Sequence, residues 1–297
     1  MSTAPKLWTI GSMLTWTEQF FAEKGVDTPR LDAEVLLSHM LEKDRIYCYS
    51  HYDEPLETAE LARFRELVKG RVSGKSVAVL IGQKEFMGLL FKVNEHVLIP
   101  RPDTATLVDG VLSLVDRKKS YRILDMCTGT GAILLSLLHY MKESEGVGVD
   151  ISKEALAVAK LNQKGLALEE RSTLIESDLF TNLKGYEGTF DVLVSNPPYI
   201  PTEEMKTLAP EVLTEPHIAL HGGTDGLDFY RKLLQEAPKY VRSGGYVGFE
   251  IGYNQADALR ALGQTYACYG DMIEKRDLAG FVRAVFFQVG KHEDENL

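Results

Sequence analysis

The stretch "RILDMCTGTGAILLSLL", residues Arg122 to Leu138, decides the fold of this chain. An apolar run ends at Asp125, glycines follow at positions 129 and 131, and apolar residues then recur at helix spacing. We therefore predict a strand, a tight turn and a helix that begins near Gly131. Glycines let the backbone approach a ligand closely, and a helix N-terminus offers free N–H groups. Leu134 stands where a dinucleotide fingerprint needs Gly or Ala, which disfavours a pyrophosphate-binding turn.

Strands and helices alternate on the C-terminal side of this turn. We predict strands at residues 121–127, 146–150, 172–178, 190–195, 246–251, 272–277 and 284–289, with helices that begin near Gly131, Ser152, Gly226 and Asn254. Only "LAGFVR" joins the last two strands, which is too short for a helical crossover, so one of them runs antiparallel. This pattern predicts an α/β fold with a seven-stranded, doubly wound sheet of the class I methyltransferase (Rossmann-like) type.

The segment before this domain reads as helical and then as a hairpin. In "DTPRLDAEVLLSHMLEK", Thr28 is a candidate N-cap, Pro29 sits at the first helical position, and the predicted apolar stripe is Leu31, Val35, Leu36 and Met40. Two β-like runs flank Asn94–Glu95. We predict a small helical domain at residues 1–76, a β-hairpin linker at 77–104 and the α/β domain at 105–297.

Composition excludes several classes of protein. The chain has 297 residues and a net charge of −10. Its three cysteines are far apart, which disfavours a disulfide framework or a structural zinc site. We expect no membrane span and no signal peptide, hence a cytoplasmic protein. An acidic chain is poorly suited to gripping phosphates, so no direct nucleic-acid binding is expected, whereas a basic protein partner would suit it.

Acidic residues end two further strands at the predicted ligand-binding edge of the sheet. Asp150 closes the strand of "GVGVDIS", where a carboxylate can accept both hydroxyls of a ribose, although a helix N-cap is the alternative role. Asp178 ends "ESD" and can accept from an adenine amino group, with Leu179 and Phe180 as apolar walls; a simple turn is the alternative. With Asp125, these acids favour a nucleoside without a diphosphate, and S-adenosylmethionine is the candidate.

The tetrapeptide "NPPY", Asn196 to Tyr199, follows the fourth strand beside the same crevice. A proline-rich turn that merely stops the strand is the alternative reading. Pro197 and Pro198 have fixed φ values and no N–H, so the Asn196 side-chain oxygen and the Pro197 carbonyl can point in fixed directions. These two acceptors suit an –NH2 group, and Tyr199 offers a flat wall for a planar amide or base. Direct displacement at a methyl carbon needs no metal.

With these motifs together, the chain resembles the glutamine methyltransferases that modify peptide-chain release factors (the HemK/PrmC family). The resemblance extends over nearly the whole chain and includes "VLIPRPDT", "EPHIALHGGTDGLDFYR", "GFEIGYNQ" and "DLAGFVR". It implies a helical domain that docks the release factor and methyl transfer to the glutamine side-chain nitrogen of its Gly-Gly-Gln motif.

Residue by residue, the resemblance implies that the cofactor is bound by Cys127, Thr128, Gly129, Thr130, Gly131, Asp150, Asp178, Leu179 and Asn196. It implies that Asn196, Pro197, Pro198 and Tyr199 hold the glutamine amide, with Asn196, Pro197 and Tyr199 as the catalytic set. Arg101 and Thr104 are further candidates, for which a structural role in the hairpin region is an equal alternative.

The chain departs from the family pattern at two positions. Cys127 stands where the family often has Gly, and we expect it to act as a small buried hydrophobe rather than as a reactive thiol. Ala105 stands where the family usually has Glu, so any contact made by that carboxylate is lost here.

Three alternative functions use the same motifs. A ribosomal-protein glutamine methyltransferase would share the chemistry and differ in docking. A DNA or RNA amino-methyltransferase would need a basic region that extracts a base, and the acidic N-terminal helices do not resemble one. A noncatalytic module that retains the fold is disfavoured by the intact set of Gly129, Gly131, Asp150 and Asn196.

Overall fold

The computed structural model describes residues 7–290, which form two compact units that divide after Gly82. Each unit has its own buried core. Residues 1–6 and 291–297, and with them the outer ends of the predicted domains, lie outside the described residues. Within residues 7–290, every helix is too short or too polar to span a lipid bilayer.

The first unit is helical, as predicted. Its helices are α1 (Ile10–Glu23), α2 (Pro29–Leu41), α3 (Arg45–Ser50), α4 (Thr58–Val72) and α5 (Val77–Ile81). Their apolar faces enclose a core whose fully buried side chains include Leu14, Phe21, Leu36, Leu37 and Phe64. Such amphipathic helices are stable because they bury these faces against one another.

Helix α2 begins at Pro29 as predicted, but two details differ. Thr28 occupies the N-cap position, yet its hydroxyl donates to Asp32 Oδ1 at 2.7 Å instead of accepting a helix N–H. The predicted stripe was wrong at Leu31, which is 44% exposed. The apolar side chains of α2 that are buried in the core recur three to four residues apart, at Ala33, Leu36, Leu37 and Met40.

The helical unit continues beyond the boundary predicted at Ser76. The Ser76 hydroxyl accepts a hydrogen bond from Val79 N at 3.3 Å and so caps α5. This helix packs against α2 and α4 and ends at Ile81, and its C-cap is Gly82, whose φ of 71° is in the left-handed region. Residues 77–82, which were predicted as part of the linker, therefore belong to the helical unit.

A hairpin forms within the predicted segment, but the predicted pairing across Asn94–Glu95 was wrong, because the turn lies at Met87–Gly88. It pairs β1 (Gln83–Phe86) with β2 (Leu89–Lys92) antiparallel. Met87 and Gly88 both have positive φ values, 52° and 71°, which is the geometry of a two-residue hairpin loop. Asn94 instead accepts from His96 N in a local turn after β2. The hairpin belongs to the second unit, where Phe86 and Phe91 are buried.

The second unit contains the predicted seven-stranded sheet. Its strands are β3 (Arg122–Met126), β4 (Glu145–Asp150), β5 (Ser172–Glu176), β6 (Phe190–Ser195), β7 (Val241–Glu250), β8 (Ile273–Arg276) and β9 (Val282–Gln288). They lie in the order β5-β4-β3-β6-β7-β9-β8. The first five are mutually parallel, and the final strand β9 runs antiparallel to both β7 and β8. The antiparallel final strand is therefore confirmed.

Helices cover both faces of this sheet. The predicted helices are α7 (Ala132–Tyr140), α8 (Lys153–Gly165), α9 (Asp228–Glu236) and α10 (Ala256–Gln264), each of which begins within two residues of the predicted start. A further helix, α6 (Ala105–Leu114), was not predicted. Strands β4 and β5 are added on one side of β3, and β6 and β7 are added on its other side. At such a switch point between two parallel strands, a crevice opens at the carboxyl ends of the strands.

Candidate active site

The turn after β3 depends on three residues in the left-handed region of backbone space. Cys127, Gly129 and Gly131 have φ values of 58°, 54° and 79°. Gly131 is the N-cap of α7, and a Cβ atom added there would lie 3.0 Å from Leu135. Two of the three positions therefore carry the residue type that this backbone favours, and Cys127 is the exception.

Cys127 has a largely buried thiol that lines the crevice. Burial, with a further contribution from the nearby charge of Asp150, raises the pKa of this thiol well above its usual range. The thiol is therefore neutral at physiological pH and unsuited to act as a nucleophile. Its left-handed backbone gives a physical reason for the Gly that the family often has at this position.

Asp125 holds the turn in shape instead of facing the cavity. Its Oδ2 atom accepts from the Thr128 hydroxyl at 2.6 Å and from Leu134 N at 3.2 Å, whereas its buried Oδ1 atom has no hydrogen-bond partner. Burial raises the pKa of this carboxyl to about 7. The expectation of three acids facing one ligand was thus wrong at Asp125, because this side chain points into the turn.

Asp150 ends β4 and connects the glycine turn to α8. Its Oδ2 atom accepts from Gly129 N at 2.8 Å, and its Oδ1 atom accepts from Ser152 N at 2.9 Å. Ser152, not Asp150, caps α8 by accepting from Ala155 N. A carboxylate has about four acceptor sites, so Asp150 retains acceptors on the cavity that it lines. Burial raises its pKa.

Two residues after β5 complete the same wall of the cavity. Asp178 and Leu179 both line it, and Leu179 has a φ of 48°. Phe180 was expected to form an apolar wall of the cavity, and this was wrong. Its ring is buried and stacks on the ring of Tyr240, with 4.7 Å between the centroids. The apolar lining comes instead from residues such as Ile133, Val149, Ile151 and Ala155.

The four residues after β6 divide between the cavity and the core. Asn196 and Pro198 line the cavity, whereas Pro197 and Tyr199 are not among the described residues that line it. The Oδ1 atom of Asn196 is buried and has no hydrogen-bond partner, and its Nδ2 atom lies 3.5 Å from Thr104 Oγ1. The backbone carbonyl of Tyr199 accepts a hydrogen bond from the side chain of Gln255 at 3.0 Å, which holds this residue in place.

The segment between the hairpin and α6 forms the rim of the cavity. His96, Val97, Leu98, Pro100 and Thr104 line it. Arg101 plays a structural part, since it pairs with the buried carboxylate of Glu215, which also accepts from Ile99 N at 3.2 Å. Ala105 is the first residue of α6 and packs, partly buried, against the core.

Two polar residues at the site had no predicted role. Asn162 of α8 is buried and bonds to both Lys92 N and Lys92 O of β2, and to the Thr130 carbonyl at 2.9 Å, so one side chain fastens the hairpin to the glycine turn. Glu250, the last residue of β7, is 2% exposed and lies beside Asn196 and Tyr199. A charged residue that ends the apolar strand "YVGFE" was the available signal.

Eight of the nine predicted cofactor-binding residues thus line one cavity, and the ninth, Gly131, lies at the start of the adjoining helix α7. The eight are Cys127, Thr128, Gly129, Thr130, Asp150, Asp178, Leu179 and Asn196. The arrangement offers carboxylate acceptors, an apolar slot and one buried amide oxygen without a partner. Such a cavity suits a nucleoside-containing ligand next to a group that donates hydrogen bonds.

Solved structures with a similar fold include methyltransferases. A methyltransferase from Pyrococcus furiosus has a TM-score of 0.52 and 19% identity, covering 79% of this chain and 100% of that one. The catalytic domain of hMettl16, solved with an RNA hairpin, has a TM-score of 0.57 and 14% identity, covering 82% and 85%. At these identities the likeness shows the fold alone.

Comparisons of sequence are more specific. Residues 12–82 match the family described as the PrmC N-terminal domain, and residues 101–225 match the methyltransferase small domain. A release factor glutamine methyltransferase from Geobacter sulfurreducens is 39% identical over 292 residues, covering 98% of this chain and 100% of the relative. One from Moorella thermoacetica is 42% identical and covers 87% and 91%. This chain therefore belongs to the family of release factor glutamine methyltransferases.

Proposed function

We propose that this protein transfers a methyl group from S-adenosylmethionine to the side-chain nitrogen of the glutamine in the Gly-Gly-Gln motif of peptide-chain release factors. Membership of the family supports this substrate class. The single structural observation that carries the proposal is the buried Oδ1 atom of Asn196, which has no hydrogen-bond partner and belongs to a residue that lines the same cavity as Asp150 and Asp178. A buried acceptor without a partner is rare in native proteins, and here a ligand N–H would satisfy it.

The residues of the cavity fit S-adenosylmethionine, which supplies a methyl group on a positively charged sulfonium when it is bound. Asp150 would accept from the ribose hydroxyls, and Asp178 with Leu179 would contact the adenine. The turn from Cys127 to Gly131 brings backbone close to the ligand without long side chains. The carboxylates also give the cavity a negative potential that favours a cationic ligand.

The amide of the substrate would be held by Asn196 Oδ1 and the Pro197 carbonyl, one for each N–H bond. A carboxamide nitrogen is a poor nucleophile because its lone pair is delocalised into the carbonyl. Fixing both N–H bonds aims this nitrogen and supports the positive charge that develops on it. Positioning of reacting atoms near 3 Å contributes about 7–11 kcal/mol in favourable cases. Tyr199, which is held through its carbonyl by Gln255, would set the position of the prolines and border the amide site.

The helical unit is proposed as the part that docks the release factor. Its sequence match to the PrmC N-terminal domain supports this role. The acidic charge of the chain favours a basic partner surface. A cytoplasmic location and the absence of direct nucleic-acid binding stay predictions.

The test is methyl transfer from radiolabelled S-adenosylmethionine to a purified release factor, a set of ribosomal proteins and DNA or RNA in separate reactions. We expect labelling of the release factor, and a factor whose Gly-Gly-Gln glutamine is replaced by alanine should take up no label. Labelling of nucleic acid or of a ribosomal protein alone would overturn the proposal and select one of the alternatives.

Asn196→Ala is expected to lower kcat by about 10²–10³, by analogy with the loss of one fixed hydrogen-bond group that acts in the transition state. Binding of S-adenosylmethionine, measured by calorimetry, should change little. A variant that turns over normally would show that Asn196 is only a turn residue.

A further inference from the structure

A buried polar cluster lies behind the proposed amide site, at the carboxyl ends of β6 and β7. It consists of Thr104, Asn196, Tyr199 and Glu250. The register pairs Ser195 with Phe249, so Asn196, which follows β6, lies beside Glu250, the last residue of β7. Glu250 is 2% exposed, and the proposed contacts with cofactor and substrate give it no role.

Three polar side chains of the site surround the Glu250 carboxyl group. Tyr199 donates its hydroxyl towards Glu250 Oε1 at 3.5 Å. Thr104 and Asn196 also face the carboxyl group and favour its ionised form, although neither reaches Oε2 in hydrogen-bond geometry. An ionised carboxylate is a pure acceptor, whereas the hydroxyl and amide groups around it can donate.

The charges around this cluster come from other elements of the unit. Arg283 of β9 is the nearby cation, and it is shared with Asp103 at 3.3 Å and Asp277 at 3.2 Å. Asp103 is the nearby anion. Tyr230 of α9 donates to the Glu250 backbone carbonyl at 2.7 Å, which fixes the end of β7. Glu250 therefore has no dedicated ion-pair partner among the described residues, and its side chain is available to the cluster.

The orientation of the Asn196 amide follows from this environment. With Nδ2 directed at Thr104 and the Glu250 carboxylate, Oδ1 is the end of the amide that is left without a hydrogen-bond partner. In the flipped orientation, Oδ1 would lie against an acceptor-only carboxylate, and Nδ2 would meet the donors of a substrate amide. Both contacts would be repulsive. A protonated Glu250 would remove this discrimination, because its O–H can donate to Oδ1.

We infer that Glu250 is a positioning residue: its ionised carboxylate fixes the side-chain amide of Asn196 with the oxygen towards the substrate, and it holds the Tyr199 hydroxyl. The use of this orientation in catalysis rests on the proposed function, whereas the contact itself does not. Burial raises the pKa of Glu250 to about 7, so the orientation is expected to depend on pH near neutrality.

The contact is tested without any substrate. The chain has six asparagines, so selective ¹⁵N-asparagine labelling gives six side-chain amide signals, and Asn196→Asp assigns the one of interest. We expect the Asn196 Nδ2 protons to shift with a midpoint near pH 7 in the wild type and to be independent of pH in Glu250→Gln. Asn162 is an internal control, because its Nδ2 atom donates to two backbone carbonyls and to no carboxylate. A titration that persists in Glu250→Gln, or is missing from the wild type, would overturn the inference.

The consequence for catalysis is tested by pH profiles of methyl transfer to the release factor. We expect wild-type kcat to fall below pH 7, and Glu250→Gln to have a flat profile with kcat about tenfold lower at pH 8, since a neutral acceptor forms a weaker hydrogen bond than a carboxylate. The affinity for S-adenosylmethionine should be unchanged.

Asp191→Asn is the matched control for these profiles. It removes a largely buried carboxylate at the opposite end of β6, where Asp191 accepts from Arg122 N, and it should keep the wild-type profile. A Glu250→Gln enzyme with wild-type kcat and pH dependence would reduce Glu250 to a structural role. If the wild type does not methylate the release factor, the proposed function fails, and the amide titration still decides the inference.

Discussion

Asp125→Asn should make the protein more stable at pH 8 and hardly change it at low pH. Asp125 is fully buried at the end of β3, and only its Oδ2 atom accepts hydrogen bonds, from Thr128 and Leu134. Asparagine can keep both bonds with its own Oδ1 atom, while its Nδ2 atom takes the place of the unpartnered oxygen. The substitution thus removes a titrating group with little change in shape.

The sign follows from proton binding. Burial raises the pKa of Asp125 from 3.8 to about 7 in the folded state. Between these two values the folded protein binds a proton that the unfolded chain has released, so the wild type loses stability as pH rises through this range. Each pH unit is worth about 1.4 kcal/mol, so the stability of Asp125→Asn relative to the wild type should increase by roughly 3 kcal/mol between pH 5 and pH 8. The cost of an unpaired amide is common to both pH values and cancels.

The measurement has to report on the second unit alone. Both tryptophans, Trp8 and Trp16, lie in the helical unit, so tryptophan fluorescence would follow the wrong unfolding transition. Hydrogen exchange of peptides that contain β3, recorded across a urea series at each pH, isolates the sheet. Asp191→Asn serves as a carboxylate control on the neighbouring strand β6.

Two results would refute the reasoning. A stability difference that is equal at pH 5 and pH 8 would mean that Asp125 has the same pKa in the folded and unfolded chains. A loss of stability in Asp125→Asn that grows with pH would mean that its folded pKa is lowered. In that case the bonds from Thr128 and Leu134 would outweigh the cost of burial.

Three further predictions concern the turn and its supports. Asp150→Ala should raise the Kd for S-adenosylmethionine about 10–100-fold by calorimetry, because it removes hydrogen bonds to a charged group worth about 1.5–3 kcal/mol each; an unchanged Kd would refute its ribose role. Cys127→Gly should be more stable than Cys127→Ala by about 0.5–1 kcal/mol in urea unfolding, since only glycine relieves the φ of 58°, and equal stabilities would argue against strain. Asn162→Ala should speed hydrogen exchange in both β2 and the glycine turn, while Gln163→Ala, which loses a buried contact with Ser172 instead, should leave both slow.

Local patterns were sufficient to predict most of the fold. The antiparallel last strand followed from six residues between two apolar runs, because no helical crossover fits in that length. The hairpin turn was misplaced because β-like runs flank Asn94–Glu95, whereas Met87 takes a left-handed φ only because the pairing of β1 with β2 requires it. Helix α6 was missed although its residues Leu107, Val108 and Val111 are buried at helix spacing.

The residues of the site also differ in whether local sequence patterns were sufficient to predict them. Asp150, Asp178 and Asn196 were predicted because parallel strands bring their carboxyl ends to one edge, a rule that needs no knowledge of packing. Asp125 and Phe180 also follow strand ends, but their side chains turn into the protein, and this direction depends on contacts with Thr128 and Tyr240. Glu250 could not be linked to Asn196 from sequence, because 53 positions separate them and only the register of β6 with β7 brings them together.

Four features that lower the stability of the second unit lie at or near the carboxyl ends of its central strands. Cys127 has a left-handed backbone, Asp125 and Glu250 are buried carboxyl groups with raised pKa values, and the Oδ1 atom of Asn196 has no partner. Each of these costs on the order of 1–3 kcal/mol, and any one of them alone has an ordinary structural explanation. Their common location at the carboxyl ends of β3, β6 and β7 does not. Elsewhere the sheet is enclosed by two well-packed apolar cores, which supply the stability that a preorganised polar site consumes.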